Sequence, residues 1–198
     1  MRILQFFERA CLTLGVLALL AVGIVYLDAI IGSRDALAAF DARLDEIGVP
    51  DQTRWSNARR SAYAASHATE VGIPQAVLSI PAIDLRVPVF SGTTALPLNR
   101  GVGHVEGSAL PGSAGNVAIA GHRDGFFRGL MHLTKGDTIE IATLTELHTY
   151  HINEISIVDP LDVSVLEPTS EATLTLITCY PFHYIGNAPE RNIVRAIR

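Results

Sequence analysis

An uninterrupted run of 18 uncharged residues, ACLTLGVLALLAVGIVYL at positions 10–27, constrains this chain more than anything that follows it. As a helix the run spans roughly 27 Å, just enough to cross the hydrocarbon core of a bilayer. Arg2 and Arg9 precede it and no Lys or Arg follows until Arg34, so the positive-inside tendency holds the N-terminus in the cytoplasm. The rival reading is a cleaved secretory signal. Ala21-Val22-Gly23 offers small residues at a cleavage spacing, but the apolar run continues to Leu27, and cleavage there would leave a hydrophobic new terminus. A single uncleaved anchor over residues 1–32 is therefore the expectation. Cys11 opens the apolar run, whereas a lipid-modified cysteine closes one, so Cys11 reads as an ordinary small apolar residue in the membrane.

Both readings put the remainder outside the cytoplasm. The charges of the first 32 residues (Arg2, Arg9, Glu8 and Asp28) cancel, so the exported part carries the whole formal charge of −5. That balance offers no footprint for nucleic acid. Export also matters for the cysteines, of which there are two in the chain. Structural cysteines in an oxidising compartment come in pairs, and the exported part holds only Cys179. Three fates stay open for it: a buried inert residue, a crosslink to another chain, or a nucleophile.

Residues 33–47 read as a short amphipathic helix, with Ser33 as its cap, Leu37, Phe40, Leu44 and Ile47 at helical spacing, and Gly48 and Pro50 as the stop. A second helix is expected over residues 51–68 with Trp55, Ala62 and Tyr63 on its inner side, which makes 33–75 a helical juxtamembrane segment. From Gly72 the texture changes to short β-rich runs broken by Pro and Gly. Strands are expected at 76–80, 87–90, 116–120, 138–142, 149–158, 173–178 and 192–196, with turn signals such as Pro111-Gly112 and Lys135-Gly136-Asp137 between them. That spacing fits a mostly β barrel or sandwich over residues 76–198.

The stretch LTLITC ending at Cys179 alternates with a period of two. Leu174, Leu176 and Thr178 fall on one face and Thr175, Ile177 and Cys179 on the other. Tyr180-Pro181 ends the strand, because proline cannot extend an internal ladder. If the next strand, in ERNIVRAI, pairs antiparallel with this one, Arg191 comes close to Cys179. A thiolate rather than a thiol is the nucleophile, so an adjacent cation or base is needed. Arg191 supplies a permanent charge and a fork of donors for an oxyanion. Histidine is the usual proton carrier, and seven are present. His148 and His151 read as surface residues of a Thr/Glu-rich strand. His67 and His132 have no special setting, His183 lies four residues past the cysteine but in an apolar aromatic loop, and His104, in a Gly-rich connection, is either structural or a cleft residue. His122 differs because it follows the apolar strand NVAIAG and precedes a glycine turn, where a scaffold presents side chains. Asp124 either orients His122 or caps the turn.

NVAIAGHRDGFFRGL, TLITCYPF and APERNIVRA, in that order, resemble the sortase family, and the Cys-Tyr-Pro-Phe ending is similar to its class D branch. NRGVGHVEGSALPG and IVDPLDVSVLEP match the same branch. The resemblance covers residues 76–198 and implies an eight-stranded β-barrel cysteine transpeptidase, tethered to the membrane and facing outward. It implies cleavage of an LPxTG-like sorting signal between Thr and Gly, a thioester intermediate, and resolution by an amine on cell-wall or surface-protein material. By resemblance Cys179 is the nucleophile, His122 the general acid/base and Arg191 the residue that steadies substrate and oxyanion. Thr178 matches a position that frames the site.

Some sortases bind calcium through loop carboxylates, and Glu106, Asp159, Asp162, Glu167 and Glu171 are the available acids. They lack EF-hand spacing, such charges commonly just solvate a loop, and no zinc spacing is present, so no cofactor is expected. Two other classes compete. An L,D-transpeptidase is expected to carry a Ser-x-Gly-Cys-Arg sort of motif with its histidine shortly before the cysteine, unlike LITCY here; a simple cysteine peptidase shares the thiol chemistry. A non-catalytic surface-assembly module would leave Cys179 structural and unreactive toward small alkylating agents.

Overall fold

The computed structural model describes residues 15–17, 19–20, 22–23, 50–53, 55–183 and 188–198. The chain divides into two compact units, Met1–Asp41 and Ala42–Arg198. In the first, the described residues are helical with exposed side chains. Among the described residues no helix is long and apolar enough to cross a membrane. Much of the anchor expected over residues 10–27, and all of the helix expected over 33–47, lies outside them.

The second unit is a closed barrel. Its strands are β1 (Ala76–Ile80), β2 (Leu85–Ser91), β3 (Val102–His104), β4 (Asn116–Gly121), β5 (Thr138–Ala142), β6 (Leu147–Val158), β7 (Thr173–Tyr180) and β8 (Glu190–Ile197). They run in the order β1-β2-β3-β4-β7-β8-β6-β5, and pairing of β1 with β5 closes the ring. The β2–β3 and β4–β7 pairs are parallel and the other neighbours antiparallel. That closure decides between the barrel and the sandwich the strand spacing left open.

The period-two pattern explains which side chains fill the barrel. Val117 and Ile119 of β4, Leu174 and Leu176 of β7, and Val194 and Ala196 of β8 are register neighbours, and all six are fully buried in one core. Phe127 and Leu130, on a 3-10 helix over Phe126–His132, plug the same core. Burying side chains of this size stabilises the fold by about 1.5–3 kcal/mol each before conformational entropy is subtracted.

β3 carries no strand signal in the sequence. It is three residues long, and its pairing depends on glycine: a Cβ at Gly103 would collide with the Gly92 carbonyl and one at Gly101 with the Pro88 carbonyl. β6 also departs from expectation, because His148, read as a surface residue, is buried. Alternation along Leu147–Val158 sends His148, Tyr150 and Ile152 inward while His151 stays exposed. The Arg198 guanidinium donates to His148 Nδ1 at 2.9 Å.

The helix expected over residues 51–68 is shorter, α1 (Asn57–Ser66). Asp51 holds Thr53 in a local turn, and the Ser56 side chain caps the helix by accepting from the Arg59 amide at 3.1 Å, which sets the start. Trp55 is buried just ahead of the cap, in edge contact with Tyr63 (centroids 5.5 Å apart) and with Phe126 (5.0 Å). These rings fasten α1 onto the barrel beside the 3-10 helix. A second short helix, α2 (Ala95–Arg100), bridges β2 and β3.

Candidate active site

The inward residues of β7 leave Thr175, Ile177 and Cys179 on its outer face, as the alternation requires. Cys179 and Arg191 are direct cross-strand partners in the antiparallel β7–β8 pair, so both side chains leave the sheet on the same side. In the parallel β4–β7 pair the last register partners are Gly121 and Thr178. One residue further on, the chain reaches His122 on one strand end and Cys179 on the other. The sequence therefore delivers thiol, imidazole and guanidinium to one rim of the barrel from three adjacent strands. Cys179, His122 and Arg191 are all half-buried, as are Ala120 and Ile177 behind them. Cys179 is a free thiol.

The rim is braced from both sides. Thr178 is buried, and its hydroxyl donates to the Gly121 carbonyl at 2.7 Å, stapling the ends of β4 and β7. A Cβ on Gly121 would press against the Phe127 ring, 2.5 Å from Cδ2, so only glycine lets the strand end sit on the core plug. His122 then begins a tight turn in which its carbonyl accepts from the amides of Gly125 (3.1 Å) and Phe127 (3.2 Å). Arg123 Nη1 donates to the Pro181 carbonyl at 3.1 Å, tying this turn to the residues just past Cys179. Neither Arg123 nor Thr178 announces such a contact in the sequence, since each partner is more than fifty residues distant.

Asp124 does not serve His122 as a hydrogen-bonded orienting group. Its carboxylate accepts from Arg59 Nε at 3.2 Å and from the Ser56 hydroxyl at 3.3 Å, both belonging to the start of α1. His122 is pushed down to about 4, first by burial and then by the Arg59 guanidinium, with the Asp124 carboxylate pulling the other way. At neutral pH the imidazole is therefore uncharged. Arg191 Nη1 donates to the carbonyls of Glu190 (3.0 Å) and Ala188 (3.4 Å). These bonds hold the guanidinium at the rim.

Four other histidines have different settings. His104 is buried and structural: its Nε2 donates to the Ala109 carbonyl at 2.9 Å, with the Ser108 hydroxyl 3.0 Å away. His67 ends α1, bonded to the Tyr63 carbonyl at 2.8 Å, and His132 and His183 are exposed. Asp159 and Asp162 accept from the Leu161 and Ser164 amides in turns of the β6–β7 connection. Among the described residues no three His, Cys, Asp or Glu side chains come together as a metal-holding group.

A thiol, a neutral imidazole and a guanidinium on a closed barrel make a framework suited to acyl transfer through sulfur. Residues 78–198 match the family model described as the Sortase domain. The chain is 40% identical to Sortase D of Bacillus subtilis over 131 residues, 66% of each chain, and 35% identical to Sortase A of Listeria monocytogenes over 106 residues. The matched segment spans 66% of the first relative's length and 47% of the second's. Among solved structures, a Sortase D5 transpeptidase of Clostridium perfringens superposes with a TM-score of 0.60 at 30% identity, covering 79% of this chain and 93% of that one. A lid mutant of Sortase A from Corynebacterium diphtheriae gives 0.60 at 28% identity, covering 71% and 93%. The chain belongs to the sortase family of cysteine transpeptidases.

Proposed function

We propose that this protein is a membrane-anchored transpeptidase that cleaves an LPxTG-like sorting signal between Thr and Gly and joins the freed carboxyl end to an amine. The observation that carries the reading is the register of Cys179 against Arg191, with His122 at the end of the neighbouring strand. Neutral His122 takes the thiol proton as Cys179 sulfur attacks the Thr carbonyl carbon. Arg191 steadies the oxyanion of the tetrahedral intermediate. The C–N bond then breaks, His122 returns its proton to the departing Gly amine, and a thioester joins substrate to Cys179. An amine on cell-wall or surface-protein material attacks that thioester, its proton passing to His122 as the C–S bond breaks. His122 then reprotonates the sulfur. The three groups supply nucleophile, proton carrier and charge, so the reading calls for no cofactor.

The uncharged run at residues 10–27 supports a single-pass anchor with the N-terminus in the cytoplasm and the barrel outside the cell. Incubation of the purified protein with an LPxTG-like peptide library and a simple amine, followed by mass spectrometry, tests the reaction. Thr–amine ligation products and a Cys179 thioester are expected. Cleavage at other bonds, or an unmodified Cys179, would redirect the assignment toward a peptidase or a non-catalytic module.

A further inference from the structure

We infer that Arg59, on the helix that precedes the barrel, is a positioning residue for His122 and acts through Asp124. The inference rests on the transpeptidase reading for its importance, though not for its geometry. Arg59 reaches across from α1 with two committed groups: Nε on the Asp124 carboxylate at 3.2 Å and Nη1 on the Asn99 side-chain carbonyl of α2. Asp124 stands two residues past His122 within the turn that His122's own carbonyl closes. Ser56 grips the second oxygen of the same carboxylate, so the cap of α1 and its first turn hold Asp124 together. A Cβ built on Gly125 would lie 3.5 Å from Arg59 Cδ and 3.6 Å from His122 Cβ, so Arg59 and His122 both border one backbone position. The Arg59 side chain is only 15% exposed and Asp124 35%, which makes this ion pair less screened than a surface one.

Trp55, Tyr63 and Phe126 already pack edge to face beneath α1 and supply its apolar docking. Arg59 adds a fixed point on the turn that presents the imidazole. It also sets the local field. Arg59 from α1 and Asp124 from the histidine's own turn act on the His122 ring, while Arg123 of that turn, Cys179 of β7 and Arg191 of β8 are the other charged or titratable groups placed at this rim. Arg59 opposes protonation of His122 and at the same time occupies the carboxylate that favours it. Removing Arg59 relieves the first effect and frees the second, so both push the imidazole in one direction.

The experiment compares wild type with Arg59→Ala, Arg59→Lys, Asp124→Asn and the Arg59→Ala/Asp124→Asn pair in the whole chain. The readouts are an NMR titration of the His122 ring and steady-state peptide ligation. Arg59→Ala is expected to raise the His122 midpoint by about one pH unit and to lower kcat on the order of tenfold with KM nearly unchanged. Arg59→Lys keeps the charge without the fork and should recover most of the midpoint but only part of kcat. Asp124→Asn should move the midpoint down, and the double variant should fall short of the sum of the two single effects. An unchanged His122 midpoint in Arg59→Ala, or additive effects in the double variant, overturns the inference. The NMR arm needs no turnover. If the wild type forms no acyl-enzyme, the transpeptidase reading fails while the His122 titration still decides the role of Arg59.

Discussion

Thr178 and Gly121 are joined across the parallel β4–β7 pair by a hydroxyl-to-carbonyl hydrogen bond of 2.7 Å, one residue short of Cys179 and His122. The bond is buried, so its loss leaves the Gly121 carbonyl without that donor. Thr178→Val keeps the shape and is expected to lose about 1–2 kcal/mol of stability, read from the urea midpoint. Acyl-enzyme formation should slow as the two strand ends loosen, and Thr178→Ser should restore both. Wild-type behaviour of the valine variant would remove Thr178 from any framing role.

Gly121→Ala tests the contact beneath the same rim. The new methyl would meet the Phe127 ring at 2.5–2.9 Å, and Phe127 is fully buried in the core. A loss of about 1–3 kcal/mol is expected, seen as a lower thermal midpoint together with reduced ligation. An unaltered midpoint would mean that the 3-10 helix moves aside without cost.

Cys179→Ala removes the sulfur from a half-buried strand end and leaves little to repack. The variant is expected to fold with a near-native urea midpoint and to form no covalent intermediate by intact-mass measurement. Recovering an acyl-enzyme from it would end the assignment of Cys179.

The depressed titration of His122 links its proton to folding. An unfolded histidine takes up its proton near pH 6.5, whereas folded His122 waits until about 4. Between those values the unfolded state binds more protons, so stability falls as pH drops through that window and is intact above it. His122→Gln should flatten this part of the profile, the difference from wild type being on the order of 2 kcal/mol once screening of a half-buried group is allowed for. Urea unfolding at pH 7 and pH 4 measures it; parallel profiles would contradict the depressed value.

Chelation offers a quick check on the absence of a cofactor from the proposed chemistry. Ligation rates before and after EDTA treatment are expected to agree. A calcium-restored loss would reassign some of the acids between Asp159 and Glu171 from turn formation to ion binding.

Strict alternation made β7 legible in advance: LTLITC reads inward and outward without ambiguity, and its antiparallel neighbour brings Arg191 to Cys179 by register alone. His122 was legible for a related reason, as the residue after an apolar strand. β3 was not, because Val102-Gly103-His104 is only three residues long with a single branched side chain, and it is held by close backbone contacts that glycine permits. His148 reads as a surface residue because polar neighbours hide the inward set it shares with Tyr150 and Ile152. Arg59 left no trace at all. One of two adjacent arginines on a short helix, Arg59 resembles any solvated charge until folding sets it against a carboxylate 65 residues away.

Closure of the ring by β1 and β5 has a consequence for what the molecule can hold. An open sheet would accept any extended tail as an additional strand, its backbone amides and carbonyls offering affinity without regard to side chains. A ring with every strand flanked on both sides withholds that indiscriminate grip. Discrimination among tails then falls to side chains at the rim and to the connections around it, segments that can diverge while the cylinder beneath them stays the same.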